Sequence, residues 1–276
     1  TSFQRRSSAT LAMRQQMSNY YTKQGFALIQ DDSTAERHWF GGEPYHKGAK
    51  CPVCKVPLLL VADLDCTPFR ATVDARLFRD LDRLPLYYCW RCCADHLSYR
   101  VVKPDKVEVL RNEGSPQGDD FPYEDFPDQF PRKPVRLVTI PYETAKLLAL
   151  SQEIGDDWLS KADQQSITEQ LRLLRHDGFS ARDINRHQIG GLLGSIQGHE
   201  RVGCPNKKCK QHKLHKDGYA AQMKELALIC DDPRSGLPMV ESMPEYEETH
   251  RFNEWVQLVY WVCEECLTIA ASNRCD

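Results

Sequence analysis

The sequence predicts an α+β fold built as a pseudo-duplicate: two halves, each containing a zinc ribbon, with antiparallel β-sheets and flanking helices. Three observations support this. Four close cysteine pairs fall into two sets, Cys51/Cys54 with Cys89/Cys92 and Cys204/Cys209 with Cys263/Cys266. A glycine pair, a knuckle, two strands and a second knuckle recur in that order in both parts, the pattern of one supersecondary unit used twice. The run before each second knuckle is apolar and aromatic (Leu86, Tyr87, Tyr88; Leu258, Val259, Tyr260, Trp261), which favours strand.

Residues 8–24 predict a helix, with Ser8 as cap, Leu11, Met13, Met17, Tyr20 and Tyr21 at three- to four-residue steps, and Gly25 as stop. Phe26–Ile29 is the first strand. Gly41-Gly42 predicts a turn with positive φ or a close backbone approach. Pro52 stiffens the Cys51-Pro-Val-Cys54 knuckle, and the apolar run from Pro57 to Asp65 leads to Cys66. Residues 71–84 predict a short amphipathic helix with Val73, Leu77 and Leu81 on one side, and Leu84–Tyr88 is the hairpin arm that delivers Cys89 and Cys92.

Residues 112–134 are acidic and proline-rich, which excludes a long helix. They divide the chain into an N-terminal half, 1–111, a linker, and a C-terminal half, 135–276. Phe121, Tyr123, Phe126 and Phe130 either dock a partner or pin the linker to its own domains; the second reading is preferred. Residues 135–140 alternate as a strand. Residues 143–153 and 157–177 predict helices, the second with Trp158, Ala162, Ile167, Leu171 and Leu174 as its buried stripe and Gly178 as stop. Ser180 and Asp183 have the spacing of a capping box. Gly190-Gly191, the strand Met223–Cys230 and the strand Val256–Val262 complete the second copy.

Two knuckles can close a four-sulfur shell of the kind zinc prefers, so two structural zinc ions are expected, one per set of cysteines. Cys204 and Cys209 are spaced more widely than the other pairs. His212 and His215 follow them, so a three-cysteine, one-histidine shell is an alternative; solvated histidines in a lysine-rich loop are the preferred reading. Cys66, Cys230, Cys93 and Cys275 are expected as packed or free thiols.

The chain has 276 residues and a net charge of −3. It is long enough for a substantial core, and no overall field favours nucleic acid. No apolar run reaches the roughly 20 residues a membrane helix needs. The cysteine usage and the absence of a secretory pattern predict a cytoplasmic protein.

His187-Gln-Ile-Gly-Gly-Leu-Leu-Gly-Ser-Ile-Gln197, followed by a cysteine knuckle, Gln222-Met223 and a terminal Cys-x-x-Cys, resembles the YwqG-like bacterial family, which is distantly related to the zinc-binding programmed cell death protein 2 family. The likeness covers roughly residues 37–93 and 187–276. It extends to Gly41-Gly42-Glu-Pro44, whereas Leu192-Leu193 stands where the second copy would carry the proline. It implies a mixed α+β pseudo-duplicate and a protein-binding role, as a dedicated chaperone for a ribosomal protein or an immunity protein that neutralises a toxin. It implies no partner-binding residues.

Non-catalytic protein binding is therefore expected, with a basic protein as partner to suit the acidic chain. Nucleic-acid binding is the alternative, through the lysines between Asn206 and Lys216. No His-Glu-x-x-His, Gly-x-Ser-x-Gly or phosphate-loop motif is present. Cys93 near His96 offers a thiol and a base, but a packed neighbour of the knuckle is the preferred reading.

Overall fold

The computed structural model describes residues 24–72, 76–92, 96–113, 129–140, 160–173, 187–191, 193, 200–212, 223–230 and 256–275. The helices expected over 8–24 and 143–153, the capping motif at 180–183, and Phe121, Tyr123 and Phe126 lie outside them, apart from Gln24. Among the described residues there are eleven strands: β1 (Gly25–Gln30), β2 (His38–Phe40), β3 (Leu59–Asp65), β4 (Arg83–Tyr88), β5 (Leu97–Lys103), β6 (Lys106–Asn112), β7 (Lys133–Ile140), β8 (Gln188–Gly190), β9 (Lys224–Cys230), β10 (Val256–Val262) and β11 (Ile269–Cys275). The described residues also form the α-helices α1 (Thr67–Thr72), α2 (Arg76–Asp80) and α3 (Lys161–Leu173). The strands form a single sheet in the order β4-β3-β2-β7-β1-β8-β9-β10-β11-β5-β6. Every ladder between them is antiparallel.

The strand order contains an exchange. β1 precedes β2 in the chain yet pairs with β8, and β7 precedes β8 yet pairs with β2. β1 and β7 meet each other at the centre, where Leu28 faces Leu137, Gln30 faces Val135, and Ile29 faces Arg136. Those pairings are self-consistent under a local two-fold relation that carries β1 onto β7 and β2 onto β8. Buried histidines obey the same relation. His38 Nδ1 accepts the Asp65 backbone N–H at 3.2 Å, and His187 Nδ1 accepts that of Cys230 at 3.3 Å. Each ties the strand bearing the glycine pair to the end of the next strand. The parts before and after residues 112–134 thus share one sheet.

The glycine pairs turn as their sequence suggests: φ is 61° and 102° at Gly41 and Gly42, and 65° and 66° at Gly190 and Gly191. A Cβ on Gly41 would lie 2.4 Å from the Pro131 carbonyl oxygen, so a side chain there meets backbone. The single helix expected over 71–84 is instead α1 and α2 followed by β4. Arg83 and Leu84 leave the helical path because they pair with Asp65 and Leu64. The predicted stripe of the 157–177 helix is also narrower in its described part: Ile167 is buried, but Ala162 is exposed. Phe130 is buried in the core, as the self-anchoring reading of the linker required.

The sheet curls, bringing β4 close to β11. β5 does not ladder with β4. Instead the buried Tyr99 hydroxyl on β5 donates to the Pro85 carbonyl at 2.8 Å and accepts the Tyr87 N–H at 2.9 Å. One side chain thereby satisfies backbone groups at an edge that would otherwise carry a desolvation cost. Among the described residues a large apolar core spans most strands, and a smaller one is formed by Met223, Leu228, Val259, Trp261 and their neighbours.

Candidate metal centres

The first centre is assembled by two turns. In Cys51-Pro-Val-Cys54, Cys51 N donates to Val56 O at 2.9 Å and Lys55 N to Cys51 O at 3.1 Å, with Lys55 at φ 64°. That left-handed residue reverses the chain so that both sulfurs face the same way. Cys89 and Cys92 come from the end of β4 and the 3₁₀ turn Trp90–Cys92. Sγ of Cys51 lies 3.7 Å from that of Cys92, and Sγ of Cys54 lies 3.7 Å from that of Cys89. A metal with sulfur bonds of about 2.3 Å needs tetrahedral edges of about 3.8 Å. A disulfide would need about 2.05 Å. The four sulfurs lie within 4.8 Å of one another and fit one metal ion.

The second centre repeats the arrangement with the special turn in the other pair. Cys263 N donates to Thr268 O at 2.9 Å, Leu267 N donates to Cys263 O at 2.8 Å, and Leu267 has φ 57°. Cys204 and Cys209 are joined by a turn around buried Asn206, whose carbonyl accepts Cys209 N at 2.8 Å and whose Oδ1 accepts Lys208 N at 3.1 Å. This side-chain turn accommodates the wider spacing. Cys204 and Cys266 sulfurs are 3.6 Å apart, and those of Cys209 and Cys263 3.8 Å. All four again lie within 4.8 Å.

The structure brings each set of cysteines expected from sequence spacing together, in a geometry that could hold a metal ion. His212 does not join the second: its Nδ1 donates to the Cys204 carbonyl at 2.7 Å. His215 lies outside the described residues. Cys66 and Cys230 are buried and belong to neither four-sulfur group. Burial pushes the Cys66 thiol up to about 12, which makes it unreactive. Cys93 lies outside the described residues, so its relation to His96 has no structural account.

Spacing did not find the residues around the sulfurs. Asn112 Nδ2, from the end of β6, donates to Cys51 Sγ at 3.0 Å, and Val53 N donates to the same atom at 3.4 Å. Thr268 Oγ1 lies 3.0 Å from Cys266 Sγ. Arg76 from α2 donates to the Glu265 carbonyl inside the last knuckle at 2.9 Å. Nothing local in the sequence marks Asn112 or Arg76, because each contact joins distant segments.

The metal-free thiols are unequal. Burial raises Cys51, but the backbone N–H groups of Cys54 and Val53 outweigh it and bring the thiol down to about 7. Burial and neighbouring sulfurs push Cys92 up to about 12. In the second centre, hydrogen bonds from Cys204 and Cys263 hold Cys266 well below the usual thiol range, and Thr268 adds to this. Cys204 is raised, chiefly by its bonds to Cys263 and Cys266. Each centre thus contains one thiol predisposed to the thiolate that a metal requires.

Among the described residues, no helix is long and apolar enough to cross a membrane. No family model matches the chain, and no curated protein matches it.

Proposed function

We propose that this is a non-catalytic zinc protein that works by binding another protein, with two structural zinc ions holding the scaffold in shape. The observation that carries this is the pair of four-sulfur groups with edges of 3.6–3.8 Å. All-thiolate tetrahedra suit zinc, and four protein ligands leave no position for water or substrate. The eight sulfurs are provided by Cys51, Cys54, Cys89, Cys92, Cys204, Cys209, Cys263 and Cys266. Each ribbon-like unit then serves as a frame, and binding belongs to the surface it supports.

The resemblance to YwqG-like proteins and, more distantly, to the programmed cell death protein 2 family supports a partner that is itself a protein: a toxin to be neutralised or a ribosomal protein to be escorted, in the cytoplasm. The net charge of −3 suits a basic partner. Nucleic-acid binding is the second reading, supported by Lys207, Lys208 and Lys210 around the second centre. Metal analysis tests the first part of the proposal: two zinc ions per chain are expected, and one or none would overturn it. Purification of the tagged protein from its native cells tests the second. A stoichiometric basic protein is expected; co-eluting nucleic acid, removed by nuclease, would favour the other reading.

A further inference from the structure

A cavity of about 200 Å³ lies beside the second centre. Its floor is a cross-strand row on three neighbouring strands, Ala270 on β11, Ser98 on β5 and Arg111 on β6. His96 and Glu113 form the next row, where Glu113 N donates to His96 O at 3.1 Å. The segment 200–205 and His212 form the wall. The small side chains of Ala270 and Ser98 leave the floor hollow.

Two buried polar atoms at this cavity have no hydrogen-bonding partner among the described residues: Ser98 Oγ and His212 Nε2. Ser98 is only 1% exposed. Each such atom carries a desolvation cost while it stays unpaired, so a ligand that satisfies them gains what the unpaired atoms lose. The Cys204 carbonyl can only accept, so the His212 ring nitrogen facing it donates, and in the neutral ring Nε2 is left as an acceptor. His96 stands between two carboxylates, with Nδ1 3.3 Å from Glu113 and Nε2 3.5 Å from Glu200. Glu113 is paired with Arg111, and Glu200 with Arg274.

Size and charge narrow the occupant. Among the described residues, three or more metal-binding side chains converge within 4.8 Å only in the two cysteine groups, so these histidines and glutamates do not form a cation cage. The volume is several times the roughly 30 Å³ of a water and below the roughly 300 Å³ at which drug-sized sites begin. Among the charged side chains of the lining, Arg111 and Arg201 balance Glu113 and Glu200. From these features we infer that the cavity is a binding site for a small, net-neutral polar molecule. Its hydroxyl or amine hydrogens reach His212 Nε2 and Ser98 Oγ. A polyol and an amino-acid zwitterion share that chemistry.

D-ribose and L-serine are the probes, titrated into the metal-loaded full chain with the histidine side-chain NMR signals as readout. One or both should shift the His96 and His212 signals saturably at one site per chain, and the probe that does so identifies the source. Ser98→Val fills the floor and removes the hydroxyl; it should weaken binding by about tenfold or more at unchanged metal content. Should that variant fail to fold, Ser98→Ala, which removes the hydroxyl without filling the floor, provides the comparison. Binding unchanged in the folded variant, no saturable shift with either probe, or a larger response to inorganic phosphate or magnesium would each overturn the inference.

Discussion

The two metal centres have the same sulfur geometry but different surroundings. The first is built into the large core: Cys51, Cys89 and Cys92 are buried among residues from β1 to β11, and β6 adds Asn112 as a donor to sulfur. The second belongs to the smaller core and is braced from outside by Arg76 and by Lys224, which lies 3.4 Å from Glu264 in its last knuckle. One centre is a keystone and the other holds a flank. Metal geometry alone does not determine how much of a fold depends on the metal; the apolar network around the ligands does.

Removing a ligand from each centre tests this most severely. On the proposed zinc reading metal-binding energy is folding energy, and structural zinc contributes about 10–16 kcal/mol in small domains, comparable with the about 5–15 kcal/mol total stability of a protein. Cys89→Ser should therefore abolish the cooperative melt. Cys263→Ser should leave a folded protein with hydrogen-exchange protection lost mainly in β9–β11. Equal and global unfolding in both variants would show that the two cores are not separable.

The next contrast lies in the sheet. Arg83 Nε donates to both carboxylate oxygens of Asp63 at 2.9 Å. Arg83 pairs with Asp65 as Gln257 pairs with Cys230, so an amide stands in the second copy where the guanidinium stands in the first. Breaking one partner of a buried ion pair costs about 3–5 kcal/mol; Arg83 is a quarter exposed, which lowers the expectation for Asp63→Asn to about 2 kcal/mol. A denaturant midpoint within error of wild type would remove the pair from the account.

Asn112→Ala removes the amide donor to Cys51. Outer hydrogen bonds of this kind typically change metal affinity by about 10–100-fold. Chelator competition should show that loss at the first centre only. An equal loss at both would mean that the amide acts through general stability.

Acid should weaken the fold through His38. Burial holds its imidazole at about 4, whereas the unfolded ring titrates near the ordinary value of about 6.5. Between those values the unfolded chain binds more protons, so stability is complete above about 6.5 and declines as pH falls toward 4. His38→Asn should flatten the acid slope relative to wild type; an identical slope would exclude this histidine as the cause.

Much of this was legible in the sequence because it is local. Cysteine spacing named the two sets of four sulfurs, and apolar runs such as Leu58–Ala62 and Leu258–Val262 named buried strands. β5, β6 and β11 were not legible: Leu97–Lys103 mixes polar and apolar residues, and Ile269–Cys275 carries Ser272, Asn273 and Arg274. Their strand character comes from neighbours supplied by distant segments. The exchange of β1 and β7 is likewise a property of pairing and leaves no mark in either strand. The cavity at Ser98 depends on three such strands and was invisible for the same reason.

The smallest expected effect is at Arg76, which also separates the two centres most cleanly. Its guanidinium pairs with Asp80 at 2.9 Å and donates to the Glu265 carbonyl at 2.9 Å. It thus ties α2 to a knuckle of the opposite copy. The side chain is about half exposed, and water screens such contacts. Arg76→Ala should speed metal release from the second centre by no more than about threefold and leave the first unchanged. A large effect there would mean that α2, rather than the small core, holds the flank in place.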